Sequence, residues 1–116
     1  MMKLGSYFAI CVDREVVGGM IAFRLGHDCR NLGRIWLDPS VQGRGHGRAA
    51  IEWLHDALPT ARWSLETPAW AIRNHHLYES LGYRKVGQRP CPDGFVEFLY
   101  ERESERRLVG GAVLDD

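Results

Sequence analysis

The pattern of apolar and polar positions predicts a β-hairpin and a third strand in the N-terminal part of the chain. The runs Ser6–Val12 and Val16–Leu25 are rich in aromatic and β-branched residues, and a polar break separates them. Two such runs around a short break are typical of a hairpin. The glycine pair at 18–19 predicts a bulge or a close backbone approach. A polar loop over His27–Gly33 and a short strand over Arg34–Leu37 follow.

The spacing becomes helical from Gly45 to Leu58, where Ile51 and Leu54 belong to one apolar stripe. After Pro59, the pattern predicts a strand, a second helix ended by a left-handed Gly82, and two further strands. These four elements are predicted at Arg62–Glu66, Ala69–Leu81, Tyr83–Gln88 and Phe95–Glu101. The order β-β-β-α-β-α-β-β indicates an α/β fold with a mixed central sheet.

Length and composition predict a single domain over residues 1–116, in which residues 103–116 form a charged tail or a final edge strand. With 45% hydrophobic and 26% charged residues, the chain can bury a modest core. Its formal net charge of zero argues against nucleic acid or an anionic membrane as the main partner. No apolar run approaches the roughly 20 residues that span a bilayer, and residues 1–6 lack the apolar stretch of a signal peptide. We therefore expect a cytoplasmic protein.

The three cysteines form no C-x-x-C pair, and the adjacent His75 and His76 point to different sides of a helix. We therefore predict no disulfide framework and no metal site. The four tryptophans are expected in the core and in cleft walls, namely Trp36, Trp53, Trp63 and Trp70.

The most informative segment is a glycine-rich turn between a strand and a helix. Gly43, Gly45 and Gly47 alternate, and glycine lets backbone N–H groups converge on a small volume. The positive end of the helix dipole points into that volume, so a pyrophosphate is a natural occupant. Arg44 and Arg48 add charge that suits phosphate. The alternative interpretation is a tight turn that simply needs glycine.

A dinucleotide-binding turn is a competing interpretation, because Gly45–Ala50 fits G-x-G-x-x-A and Glu66 follows about 20 residues later. Two features argue against it. Residues 38–42 separate the strand from the glycines, and 116 residues offer too few strands for a doubly wound domain.

Two motifs resemble those of the GCN5-related N-acetyltransferases. Gln42–Gly47, with the sequence QGRGHG, resembles the Q/R-x-x-G-x-G/A signature, and Leu77–Tyr83, with the sequence LYESLGY, is similar to a second motif of that family. Their order and spacing agree with the family, and the resemblance covers about residues 6–101. It implies the family's mixed sheet, with the turn binding the pyrophosphate of acetyl-CoA.

The resemblance also implies the site residues. The coenzyme contacts are expected at Trp36, Leu37, Gln42, Gly43, Arg44, Gly45, His46, Gly47, Arg48 and Asn74. Tyr78 matches the tyrosine that protonates the departing thiolate, and Glu66, twelve residues earlier, matches a general base of some ribosomal-protein acetyltransferases. From the residues alone, Tyr78 could equally be a packed helix tyrosine, and Glu66 could cap the turn at Thr67–Pro68.

The chain departs from the family in two places. The family usually begins with a strand and two helices that help to form the acceptor side, and we expect that part to be missing or reduced here. An asparagine is common seven residues before the tyrosine, where this chain has Ala71. Asn74, one helical turn before Tyr78, is the expected substitute.

The predicted function is direct transfer of the acetyl group of acetyl-CoA to a primary amine of a small molecule or peptide, in a ternary complex. The alternative is a module that binds the coenzyme without catalysis. A homodimer, formed through residues 108–114, would offer a second wall for the acceptor site.

Overall fold

The computed structural model describes residues 4–104, so most of the predicted tail, residues 105–116, lies outside the described part of the chain. The chain forms two compact units, which divide after Pro59. Within residues 4–104 the elements follow the predicted order β-β-β-α-β-α-β-β, with one additional 3-10 turn. No helix in this part of the chain is long and apolar enough to cross a membrane.

Unit 1 contains an antiparallel three-stranded sheet in the order β1-β2-β3, followed by a 3-10 turn and one helix. Its elements are β1 (Leu4–Val12), β2 (Glu15–Arg24), β3 (Cys29–Leu37), the 3-10 turn (Pro39–Val41) and α1 (His46–Ala57). In unit 2 the last strand lies between the other two, in the order β4-β6-β5, and both pairings are antiparallel. Its elements are β4 (Arg62–Pro68), α2 (Ile72–Ser80), β5 (Arg84–Pro90) and β6 (Val96–Glu103).

The predicted β1–β2 hairpin is confirmed, and its turn consists of Asp13 and Arg14. Both residues have positive φ angles, 52° and 70°, as two-residue hairpin turns of type I′ require. The predicted close approach at the glycine pair is also confirmed. A Cβ atom on Gly18 would overlap the carbonyl oxygen of Trp36, and the register of the hairpin shifts beside it, between Ile10 and Cys11.

One face of the β1-β2-β3 sheet packs against α1. Phe8 of β1 contacts Trp53 of α1 edge to face, with ring centroids 5.4 Å apart. Ile51 and Leu54, from the predicted stripe of α1, are fully buried. Deleting such a side chain costs about 2–5 kcal/mol, so these residues anchor the helix that begins at the glycine turn.

Side chains of β6 fasten α2 in unit 2. The Tyr100 hydroxyl donates a hydrogen bond to Glu79 at 2.9 Å, and Arg102 Nε donates to the Leu81 carbonyl at 2.9 Å. Gly82, as predicted, has a positive φ of 93° and ends the helix. Since α2 is only nine residues long, these tertiary contacts rather than helix propensity hold it in place.

Cross-strand pairing extends two strands beyond their predicted ends. The predicted loop His27–Gly33 is wrong from Cys29 onward, because Arg30, Asn31 and Leu32 pair with β2 and the last two are buried. Similarly, β4 continues through residues 67–68, which pair with Phe98 and Glu97 of β6. The sequence signals at these positions were polar or turn-forming, and the partner strand overrides them.

The predicted start of α2 at Ala69 is wrong by three residues. The Ala69 N–H donates to the carbonyl of Val96 and the Ala71 N–H to that of Pro68, so residues 69–71 form a turn before the helix.

The four tryptophans were expected in the core or in cleft walls. Of these, Trp63 is buried in the core. The other three are exposed to solvent: Trp36, Trp53 and Trp70.

Replacing Arg14 by glycine should stabilise the protein, because a side chain at a positive φ is strained and glycine is not. We expect Arg14→Gly to raise the free energy of unfolding by about 0.5–1 kcal/mol, measured by urea denaturation. Arg14→Ala is the matched control, since it keeps the Cβ atom and should give no such gain. An unchanged or lower stability of Arg14→Gly would contradict the account of this turn.

Candidate functional site

The glycine turn presents an uncapped helix N-terminus to open space. Gly43 and Gly45 have φ angles of 79° and 85°, and a Cβ atom at either position would meet no atom of residues 4–104 within 4 Å, apart from its neighbours along the chain. Gly45 is the N-cap of α1, no side chain caps it, and the first turn holds no acidic residue. The third glycine, Gly47, lies within α1. The helix therefore offers its backbone N–H groups and the positive end of its dipole to a ligand.

Two side chains fix the path between β3 and the glycines. Asp38 Oδ1 accepts hydrogen bonds from the backbone N–H of Ser40 at 2.9 Å and from its hydroxyl at 2.8 Å. These bonds lower the pKa of Asp38, which keeps the carboxylate charged. Gln42 Nε2 donates to the carbonyl of Leu37 at 3.0 Å. The Gln42 side chain therefore acts inside the turn, as a brace between the strand end and the glycines.

Basic side chains lie within and just after the glycine turn. Arg44 lies between the two left-handed glycines and is exposed, and His46 is the first residue of α1. Arg48 is 3.8 Å from Glu52, and both side chains are about half exposed. An exposed pair of this kind contributes little, so it leaves the Arg48 guanidinium able to exchange partners.

Near the end of β3, successive backbone groups point alternately toward β2 and away from it. The Asp38 N–H donates to the carbonyl of Val17 at 2.7 Å. Because backbone groups alternate along an antiparallel strand, the N–H of Leu37 points away from β2, and the backbone groups of Trp36 point toward its partner Gly19. Leu37 therefore offers the backbone N–H in this segment, whereas Trp36 offers an exposed side chain.

Tyr78 of α2 is buried within a cluster of tyrosines. It is 6% exposed, and its ring centroid lies 6.0 Å from that of Tyr83 and 6.3 Å from that of Tyr100. Burial raises the pKa of Tyr78 above its ordinary value, because a phenolate there would lose its hydration. The phenol is therefore neutral at physiological pH.

Glu66 of β4 is exposed, and its neighbours Leu65 and Thr67 point to the opposite, buried face. Glu66 interacts electrostatically with Arg89 of β5, whose guanidinium also binds Glu97 at 2.9 Å. Asn74, the predicted coenzyme contact, is exposed on α2.

His75 was not predicted from the sequence as a site residue. It shares the buried face of α2 with Tyr78, and its Nε2 lies 2.9 Å from the Pro68 carbonyl, to which it donates. Its ring stacks on Phe98 with centroids 5.0 Å apart. The spacing of three between His75 and Tyr78 was the available signal. His75 connects the end of β4 to the helix that carries Tyr78.

The predicted residues fall into two groups. Unit 1 holds the turn residues Gln42 to Arg48 together with Trp36 and Leu37, and unit 2 holds Glu66, Asn74 and Tyr78. In this α/β protein an antiparallel meander is followed by a braced, uncapped helix N-terminus, an arrangement that is able to bind an anion. A family model for the acetyltransferase (GNAT) domain matches residues 3–85, and the chain accordingly belongs to this family.

Solved structures of acetyltransferases are similar to this chain. The ribosomal-protein-S18-alanine N-acetyltransferase from Escherichia coli is 28% identical, with a TM-score of 0.75 over 87% of this chain and 68% of that chain. A GNAT family acetyltransferase from Elizabethkingia anophelis, crystallised with acetyl-CoA, is 14% identical, with a TM-score of 0.76 over 86% and 76%. A chimeric spermidine N-acetyltransferase, in part from Vibrio cholerae, is 17% identical, with a TM-score of 0.78 over 90% and 70%. No curated protein matches the sequence.

The raised pKa of Tyr78 predicts a loss of stability in alkali. The folded protein favours the neutral phenol, so this contribution to the unfolding free energy is complete below about pH 10 and is lost as the pH rises further. Tyr78→Phe cannot ionise and should lose less stability than the wild type between neutral and strongly alkaline pH. Urea unfolding at a series of pH values measures the difference, and equal losses would contradict the burial of an ionisable group.

Proposed function

We propose that this protein is an acetyl-CoA-dependent N-acetyltransferase, organised as one domain over residues 1–116, that acetylates a primary amine directly within a ternary complex. The observation that carries the proposal is the open turn at Gly43 and Gly45 in front of the uncapped start of α1. Membership of the acetyltransferase (GNAT) family supports it. A cytoplasmic location and a homodimer stay predictions from the sequence.

The turn fits the pyrophosphate of acetyl-CoA on three counts. Apart from neighbours along the chain, no atom of the described residues lies within 4 Å of a Cβ position on the two left-handed glycines, so a phosphate can approach the backbone. The first turn of α1 lacks acidic residues, so nothing there repels an anion. Arg44 and Arg48 are exposed beside it, and guanidinium groups bind phosphate oxygens with two parallel hydrogen bonds.

Leu37 is our candidate for polarising the acetyl carbonyl. Its N–H points away from β2, five residues before the Gln42 that braces the same strand end. A fixed backbone N–H stabilises negative charge on a carbonyl oxygen at little reorganisation cost. The thioester carbonyl would therefore take a hydrogen bond at the end of β3, with the pyrophosphate at the glycines that follow.

Tyr78 is the candidate general acid. Its raised pKa keeps the proton on the phenol until a thiolate, a strong base relative to the thioester, develops. The ring is held by Tyr83 and by the anchored helix α2, so the hydroxyl position is fixed. Proton donation by Tyr78 would complete the departure of the coenzyme thiol.

Glu66 is the candidate general base for the acceptor ammonium. Its exposure lets an incoming amine or a bridging water reach the carboxylate. Glu66 interacts electrostatically with the guanidinium of Arg89 across the same sheet. The 12-residue spacing from Glu66 to Tyr78 across the β4–α2 connection agrees with this pairing of roles.

Gly45→Asp should abolish acetyl-CoA binding. The substitution places a carboxylate where the pyrophosphate would bind, and repulsion of a few kcal/mol corresponds to roughly a 100-fold or greater loss of affinity in calorimetric titration. Arg44→Ala should weaken binding by roughly tenfold, through loss of one charge-assisted contact.

Gly94→Asp is the matched control for Gly45→Asp. Gly94 lies in the β5–β6 turn with a φ of 91° and equally open surroundings, so the backbone strain is similar while acetyl-CoA affinity should be retained. Equal affinities of the wild type and Gly45→Asp would contradict the proposed coenzyme site.

Tyr78→Phe and Glu66→Gln should lower turnover by roughly 100- to 10,000-fold each while acetyl-CoA affinity is retained. Thiol release with an amine panel measures turnover, and Tyr83→Phe, a second buried tyrosine in contact with Tyr78, is the control that should stay active. Unchanged turnover of Tyr78→Phe would remove this residue from the mechanism. A wild type that binds acetyl-CoA but acetylates no amine would instead favour a coenzyme-binding module.

A further inference from the structure

A pair of exposed aromatic side chains lies on the face of the β1-β2-β3 sheet opposite to α1. Phe8 contacts α1, and Tyr7, its neighbour along β1, therefore points to the other face. Met20 pairs with Phe8, so its neighbour Gly19 lies on the same face as Tyr7. Trp36 pairs with Gly19 and therefore lies on that face too. Tyr7 is 60% exposed and Trp36 is 45% exposed. Both side chains are therefore partly accessible to a ligand.

Gly19 brings the polar atoms of these two side chains together. A Cβ atom on Gly19 would lie within 3.0 Å of both the Tyr7 hydroxyl and Trp36 Nε1. Both groups therefore stand over the same glycine, and any larger residue would displace them. Within residues 4–104 neither atom has a hydrogen-bond partner. Two groups that can donate hydrogen bonds therefore lie close together over Gly19.

The chemistry of this face suits an oxygen acceptor rather than a cation. An indole N–H only donates, and a phenol O–H can donate as well, so a carbonyl oxygen can satisfy both. Within β1, β2 and β3, the charged residue on this face is Arg34, which pairs with Ile21 beside Tyr7, and the face carries no carboxylate. A polyamine would meet positive charge here, whereas a carbonyl would meet donors.

The face adjoins the strand end assigned to the acetyl group. Trp36 immediately precedes Leu37, whose N–H is proposed to polarise the acetyl carbonyl. An acceptor whose oxygen contacts Trp36 would therefore hold a nearby amine close to the thioester.

We propose that Tyr7 and Trp36 recognise a carbonyl oxygen adjacent to the reactive amine, and that the acceptors are α-amino amides such as peptide N-termini rather than polyamines. This inference rests on the proposed acetyl-CoA-dependent function. It assigns acceptor recognition to the indole and phenol of unit 1.

The test compares trialanine, which has a carbonyl next to its amine, with spermidine, which has none. Trp36→Phe and Tyr7→Phe keep a ring and remove the N–H or O–H. Each should raise the KM for trialanine roughly three- to tenfold, as expected for one lost hydrogen bond, and Tyr7→Phe should leave the affinity for acetyl-CoA unchanged. Trp53→Phe is the matched control, because it removes the indole N–H of another exposed tryptophan, on the α1 side. It should leave the KM for trialanine unchanged.

The outcomes separate this inference from the proposed function. Wild-type protein that acetylates spermidine but not trialanine would overturn the inference, as would an unchanged KM for trialanine in both variants. Failure of the coenzyme-bound protein to bind or acetylate trialanine would overturn it as well. Failure of the wild type to bind acetyl-CoA would overturn the proposed function itself.

Discussion

The open N-terminus of α1 is the constraint on which the rest of unit 1 depends. Its backbone N–H groups can face a ligand only if the preceding chain turns sharply, and the left-handed conformations of Gly43 and Gly45 make that turn. Asp38 and Gln42 then tie the turn to the end of β3. The buried stripe of α1 holds the helix on the sheet. The proposed anion site is therefore a consequence of backbone geometry, to which the arginines add charge.

Unit 2 differs from unit 1 because it buries an ionisable group, the Tyr78 phenol, and burial favours its protonated form. Tyr78 lies among aromatic rings, and α2 is anchored by His75 to the carbonyl of Pro68 and by Tyr100 to Glu79. These contacts fix a short helix that would be unstable alone. Glu66 is exposed on the adjoining strand, in contrast to Tyr78. A sheltered phenol and an accessible carboxylate have the surroundings that an acid and a base require.

Local signals predicted much of the fold. The hairpin, the stripe on α1 and the helix end at Gly82 depend on residues close in sequence, and they were predicted correctly. The start of β3 at Cys29 and the continuation of β4 through Thr67 were not, because both depend on pairing with strands distant in sequence. Burial was equally hard to predict, since nothing local distinguishes the core Trp63 from the exposed Trp36. The motifs predicted site roles for the glycine turn and Tyr78, and these stay predictions; they gave no signal for the convergence of Tyr7 and Trp36 over Gly19.

The central claim is that the turn before α1 recognises acetyl-CoA. Calorimetric titration of the purified protein with acetyl-CoA, with NADH as the comparison, tests this claim most directly. Both ligands carry a pyrophosphate, so the comparison asks whether the site recognises the acyl-coenzyme as a whole. We expect saturable binding of acetyl-CoA and much weaker binding of NADH. Absence of acetyl-CoA binding, or tighter binding of NADH, would contradict the account.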